Sequence, residues 1–186
     1  MNLKKIYIKI LSIFVLILII FLYIRIYIYM SVAIIIPARY GSSRYEGKPL
    51  IKINNIPLVI RVVKKCIKAI SKENVFVATD DKRISDVVKK YGYNFVMTSK
   101  NNLTGTDRVA EASKKINAKI IINVQGDEPL INPNDIMKVV NFKKKKMKNI
   151  VCAYCDLKKD ENVNRRTIPK VVFNEKNELM YISRSP

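Results

Sequence analysis

The sequence predicts a three-layer α/β domain around a mostly parallel sheet, and three observations carry that prediction. From Ser31 onward, short apolar runs alternate four times with stretches whose apolar residues recur at helical spacing. The apolar runs are continuous, as strands covered on both faces require. Each run ends in a polar loop, and in sheets of this kind the working residues collect beyond the carboxyl ends of the strands.

The first run, "SVAIII", stops at Pro37 and opens into a loop holding Arg39, Arg44 and Lys48, with Gly41 and Gly47 between them. "IPLVIRVVKKCIKAI" places Leu58, Ile60, Val62, Val63, Cys66, Ile67 and Ile70 on a helical stripe, with Pro57 suited to the first turn. "NVFVATD" is the second strand and "DKRISDVVKKYG" the helix after it, stopped by Gly92. "NFVMT" and "AKIIINVQGDEP" are the third and fourth strands, with "GTDRVAEASKKI" as the helix between them and "NPNDIMKVVNFKKKK" as the helix that follows. The character then changes. "NIVCAYCDL", "PKVVFN" and "ELMYISRS" read as strands without intervening helices, and Asn174 to Asn177 as the turn between the last two.

The first 29 residues are a different kind of sequence. Between Ile6 and Ile24 only Lys9 and Ser12 interrupt an apolar run, close to the ~20 residues that span a bilayer. No small-residue cleavage site follows, so the segment is read as an uncleaved membrane anchor or as an extension ahead of a true start at Met30. Lys4, Lys5 and Lys9 on one flank oppose Arg25, Arg39 and Arg44 on the other, which leaves the orientation open.

With 186 residues, 49% of them hydrophobic, the chain has enough material for one domain with a real core plus an appendage. The net charge of +20 (35 − 15) invites a polyanion partner. Its lysines, however, are spread along the whole chain, Lys64, Lys65, Lys89, Lys90, Lys114 and Lys115 among them, where helical faces meet water, so no specific nucleic acid is expected. The tract Lys143 to Lys146 with Lys148 reads as a solvated helix end. The chain has no histidine, which removes every Ser-His and Cys-His scheme. Its three cysteines, with a lone CxxC at Cys152 and Cys155, fit a reducing compartment better than a zinc site or a disulfide framework.

The strand ends gather the chemistry. The first supplies Arg39, Arg44 and Lys48; the second Thr79, Asp80 and Asp81; the third leads to Thr106 and Arg108; the fourth supplies Gln125, Asp127 and Glu128. Cations opposite carboxylates suit a polyphosphate held with a hard divalent ion such as magnesium. Neither a Walker loop nor a G-x-G-x-x-G is present.

Five motifs, "IIPARYGSSRYEGKPL", "VATDDKRI", "GTDR", "NVQGDEPLI" and "KVVFNEKNELMYISRSP", resemble the 3-deoxy-manno-octulosonate (Kdo) cytidylyltransferases, in order, over Ser31 to Pro186. Sialic-acid cytidylyltransferases share the Pro-Ala-Arg start but usually continue Gly-Gly-Ser-Lys, whereas this chain reads Tyr-Gly-Ser-Ser-Arg. The resemblance implies a Rossmann-like nucleotidyltransferase fold over residues 31–186, the CTP-binding part of a domain incomplete at the C-terminus. The implied reaction joins CTP and Kdo into CMP-Kdo with release of pyrophosphate, using Mg2+. Arg39, Lys48 and Asp127 would be the catalytic residues, with Arg39 and Lys48 on the triphosphate and Asp127 on the metal. Substrate would meet Ala38 and Arg44, the segment Thr104, Gly105, Thr106 and Arg108, then Gln125 and Arg184.

The family's usual His-Gln or His-Pro pair is Asn102-Leu103 here, and "RRTIPKV", Arg165 to Val171, replaces an Asp-Pro-Asn-x-Val-Lys-Val step. Family members continue past the position of Pro186, with a second metal-binding aspartate, further Kdo contacts and much of a homodimer interface. Two alternatives stay beside this reading: a cytidylyltransferase for another acidic sugar, and an inactive nucleotide-binding fragment. The expected location is cytoplasmic, with residues 6–24 as the membrane anchor if they are retained.

Overall fold

In the computed structural model the described residues are 3–29, 31–41, 45–157 and 160–185, with side chains described only for 9–22 of the first helix. Arg44 and Met30 therefore lie outside the described residues. The chain divides into two units, Met1–Lys145 and Lys146–Pro186.

The first unit begins with helix α1 (Leu3–Tyr29), whose apolar side chains from Ile10 to Leu22 are exposed. Among the described residues no helix is long and apolar enough to cross a membrane. The rest of the 6–24 segment lies outside the side chains described.

Strand β1 (Val32–Ala38) follows. Ile34, Ile35 and Ile36 are each fully buried, and a side chain of that size contributes about 1.5–3 kcal/mol when it leaves water. The strand runs one residue past Pro37, where the sequence predicts a stop. Ile35 accepts from Val124 N–H at 3.2 Å on the side of the fourth-strand segment, and Pro37 comes two residues later, beyond the last paired residue there. Its missing N–H therefore costs no ladder bond.

A two-strand hairpin, β2 (Lys52–Ile53) and β3 (Ile56–Pro57), comes next. Its turn residues Asn54 and Asn55 have φ of 47° and 61°, the left-handed pair that a two-residue hairpin needs and that asparagine tolerates. Arg61 Nε donates to Ile53 O at 2.9 Å and pins the hairpin to helix α2 (Leu58–Cys66). The apolar stripe predicts a helix to Ile70; instead Ala69 N–H and Ile70 N–H both turn back to Cys66 O, and the chain leaves the helix in tight turns.

The alternation then proceeds as predicted through β4 (Val75–Thr79), α3 (Lys82–Lys90), β5 (Asn94–Met97), α4 (Gly105–Ser113), β6 (Ile120–Asn123) and α5 (Pro133–Lys145). Gly92, at φ 72°, closes α3 where a C-terminal stop is expected. The four long strands pair in the order β5-β4-β1-β6, all parallel. Right-handed crossovers put α2 and α3 on one face and α4 on the other. Val109 and Ala112 of α4 pack on Ile35 and Ala78. Because strand side chains alternate, Ile34 and Ile36 serve the opposite face, where α2 meets α5.

In the second unit β7 (Lys170–Phe173) pairs antiparallel with β8 (Leu179–Ser183) across a turn at Asn174 to Asn177, as predicted. The predicted strand over "NIVCAYCDL" does not form. A strand exists only as a partner in a ladder, and the described residues of this unit hold one pair of strands; Tyr154 packs on Phe173 instead, with ring centroids 5.1 Å apart. Cys152 and Cys155 are exposed free thiols.

Candidate active site

From β1 the chain moves to β4 and β5 on one side of the sheet, then crosses to β6 on the other. The crevice beyond the carboxyl ends of β1 and β6 is thus a topological switch point, the place where open α/β sheets bind ligands. A cleft of about 730 Å³ lies there, lined by Pro37 and Ala38 of β1 and Arg39 just after it, and from the segment after β6 by Gln125, Gly126 and Asp127. The segment fits tightly because residue 126 is glycine: a Cβ there would stand 2.6 Å from Pro37 O.

Arg39 and Lys48 are brought together by the backbone. Gly47, at φ 68°, donates its N–H to Tyr40 O at 2.8 Å, so the loop closes and the residue before Tyr40 and the residue after Gly47 become neighbours. Tyr40 is itself clamped. Its ring lies against Gly47 on one side, and the guanidinium carbon of Arg83 sits 3.2 Å from its centroid, a cation–π contact from α3. Lys48 Nζ reaches Asp127 Oδ2 at 2.7 Å, which links the two sides of the cleft. Arg39 is exposed at the rim.

A third side comes from the start of α4. Thr104 caps the helix, accepting from Asp107 N–H at 3.1 Å while Asp107 Oδ2 accepts from Thr104 N–H at 2.9 Å. This end sits beside Pro37: a Cβ on Gly105 would stand 3.4 Å from Pro37 Cγ, an ordinary contact. The open N–H groups of the first turn and the positive end of the helix dipole thus border the cleft.

Two carboxylates expected among the working groups are committed elsewhere. Asp81 caps α3 through Arg83 N–H at 2.9 Å and binds the Arg83 side chain twice, which holds its carboxyl below the usual range. Asp80 Oδ2 accepts from Arg108 Nη2 at 3.0 Å, and Arg108 also donates to Thr98 Oγ1. Arg108, only 3% exposed, forms the floor of the cleft and ties the ends of β4 and β5 to α4. Of the other expected residues, Thr104, Gly105 and Gln125 line the cleft, whereas Thr106 is exposed outside it. Arg184 belongs to the second unit, where it donates to Thr167 O at 3.2 Å. Tyr45, Pro49, Ile51 and Gly126 line the cleft without having been singled out in the sequence. Gly126 carried a signal, a glycine between two polar residues at a strand end, which marks close backbone approach.

Residues 33–186 match the family described as "Cytidylyltransferase". The chain belongs to the cytidylyltransferase family. Among family members, 3-deoxy-manno-octulosonate cytidylyltransferase of Escherichia coli is 37% identical over 153 residues, which cover 82% of this chain and 62% of that protein. The 8-amino-3,8-dideoxy-manno-octulosonate cytidylyltransferase of Shewanella sp. (strain W3-18-1) is 40% identical over 163 residues, covering 83% and 65%. A solved structure of CMP:2-keto-3-deoxy-manno-octonic acid synthetase complexed with CTP superposes with a TM-score of 0.72 at 34% identity, covering 83% of this chain and 64% of that one. This cytidylyltransferase chain therefore spans a little under two thirds of the relatives it matches.

Proposed function

We propose that the cleft binds CTP and that the chain carries the nucleotide half of an activity that transfers a cytidylyl group to a 3-deoxy-octulosonic acid. The observation that carries the reading is the convergence of Arg39 and Lys48, held together by the Tyr40–Gly47 bond, on a cleft whose far side presents Asp127. A neutral or cationic ligand would have no use for two cations and a helix N-terminus around one space. The acceptor class follows the names of the relatives, which act on Kdo or its 8-amino analogue.

In this reading the anomeric hydroxyl of the sugar attacks the α-phosphorus, a new P–O bond forms as the hydroxyl proton passes to solvent, and the bond to the bridging oxygen breaks to release pyrophosphate. Arg39 and Lys48 neutralise the triphosphate and hold it in line, with Arg44 on the same loop. Catalysis of this type is positioning and charge compensation. Ala38 lies at the end of β1 against the nucleoside, and Gln125 lies toward the sugar.

The donor set at Asp127 fits magnesium carried in by the nucleotide. Its carboxylate is half exposed in the cleft, and among the described residues no group of three acidic, cysteine or histidine side chains offers a protein cage. Magnesium is commonly held by one or two carboxylates plus phosphate oxygens and water. When bound, the ion supplies charge neutralisation on the phosphates.

Calorimetric titration with CTP tests the binding, and a coupled pyrophosphate assay with CTP, magnesium and Kdo tests the transfer; a chain that binds no CTP overturns both. The three free thiols fit a reducing, cytoplasmic setting. We also propose that the exposed apolar side chains Ile10 to Leu22 of α1 seat the chain on a membrane. A chain started at Met30 should then lose vesicle binding and keep CTP affinity; vesicle binding that survives the deletion overturns this role.

A further inference from the structure

We propose that Arg83 of α3 is a positioning residue for the triphosphate, acting through the Tyr40 ring to hold Arg39 and Lys48 at the spacing a polyphosphate needs. The inference rests on the reading of the cleft as a CTP site. Tyr40 follows Arg39 directly, and its carbonyl accepts from the N–H of Gly47, the residue before Lys48, at 2.8 Å. Its ring fills the space beside that glycine: a Cβ on Gly47 would stand 3.2 Å from Cε2, Cζ and the hydroxyl oxygen. The guanidinium carbon of Arg83 lies 3.2 Å from the ring centroid, well inside the ~6 Å at which a cation is drawn to an aromatic face. One ring thus touches both the residue that closes the loop and a cation from the neighbouring helix. Neither Tyr40 nor Arg83 lines the cleft, so any influence of Arg83 on a bound nucleotide passes through the loop.

Arg83 is itself held. Its Nε and Nη2 donate to Asp81 Oδ1 and Oδ2 at 2.9 and 2.7 Å, a two-pronged fork that fixes the plane of the guanidinium as well as its place. The Asp81 N–H donates in turn to Thr79 Oγ1 at 3.2 Å, and Thr79 is fully buried at the end of β4. The Arg83 side chain, first among its causes, keeps the Asp81 carboxyl below the ordinary range, so the fork persists at neutral pH. Contacts therefore run from the sheet to the loop, by way of Thr79, Asp81, Arg83 and Tyr40. Capping α3 needs only the Asp81 carboxylate and the Arg83 N–H, and the Arg83 side chain is 59% exposed, so neither the cap nor burial accounts for a guanidinium laid on Tyr40. Holding the loop does. A loop already in place loses less freedom when it binds a ligand.

The test is calorimetric titration of the full chain and its variants with CTP and with CMP, both with magnesium, beside thermal melts to verify folding. Arg83→Met and Tyr40→Leu should each weaken CTP binding by roughly threefold to tenfold, the scale of a cation–π contact, and leave CMP nearly unchanged, because a single phosphate does not span both cations. General damage to the fold would weaken the two ligands alike. The double variant should bind CTP no more weakly than the worse of the two single ones, since Arg83 acts only through the ring. Arg83 is exposed, so its variant decides the matter through the CTP-to-CMP ratio even if Tyr40→Leu does not fold. An unchanged ratio in Arg83→Met overturns the positioning role while the nucleotide site stands. Losses that add in the double variant overturn it too, and make Arg83 a direct contact of the phosphates. A wild-type chain that binds no CTP overturns the site itself, and this inference with it.

Discussion

Lys48 Nζ and Asp127 Oδ2 lie 2.7 Å apart across the cleft, joining a loop after β1 to the segment after β6, 79 residues later. Their side chains are 45% and 50% exposed, and ion pairs in that setting are worth at most about 1 kcal/mol. The pair is therefore easily displaced. A triphosphate offers Lys48 several oxygens where Asp127 offers one, and a magnesium ion offers Asp127 a divalent partner where Lys48 offers a single charge.

If this exchange operates, CTP and magnesium assist one another through the same pair. Asp127→Asn should abolish most of the magnesium dependence of CTP binding while leaving binding without metal no weaker, because one negative charge near the phosphates has gone. Titrations with CTP in EDTA and in excess magnesium measure both quantities. An undiminished magnesium effect in the variant would remove Asp127 from the metal.

The cations themselves should separate by position. Arg39→Ala and Lys48→Ala should each weaken CTP binding by about 1.5–3 kcal/mol, the worth of a charge-assisted hydrogen bond, whereas Lys64→Ala on α2 should change it little. Lys64 is exposed and lies outside the cleft. Equal effects at all three positions would mean that the cleft answers only to net charge.

Why some of this was legible in the sequence, and some was not, follows from the range of the interactions. The strands of the parallel sheet could be read because runs such as Ala33 to Ile36 are buried on both faces and carry their environment in their composition. Arg39, Lys48 and Asp127 could be placed because strand ends and one motif order located them. The fates of Asp80 and Asp81 could not. Asp81 was taken by the helix it begins, and Asp80 by Arg108, a partner 28 residues away that only the crossing of α4 brings near. The hairpin at Lys52 to Pro57 was missed although Asn54-Asn55 is a fair turn signal, because the two flanking strands are two residues each. Asn102 stood out only as a departure from the family pattern; that its amide donates to Glu111, nine residues on, is seen only in the fold.

Cys66 gives a prediction in pH. Burial in α2 pushes its thiol from an ordinary 9.0 up to about 12. The folded thiol stays neutral where the unfolded one ionises, so its contribution to stability is complete below pH 9 and is lost as the pH rises toward 12. Thermal midpoints should fall over this window more steeply for the wild type than for Cys66→Ala, the comparison that cancels lysine and tyrosine titration. Identical slopes would place the thiol in contact with solvent.

The Asp80–Arg108 pair is the opposite case to Lys48–Asp127, since here the arginine is 3% exposed and its partner carboxylate 16%. Removing one partner strands a charge. Asp80→Ala should therefore destabilise the domain by about 3–5 kcal/mol, read from the urea midpoint. Asp80→Ala with Arg108→Met removes both charges and keeps an apolar stem in the space, so it should recover most of that loss. The double variant also separates two roles for Arg108. Its guanidinium, at the floor of the cleft, is committed to Asp80 and Thr98, so a refolded double variant should still bind CTP with little change. Normal stability with lost CTP binding would instead make Arg108 a direct ligand of the nucleotide.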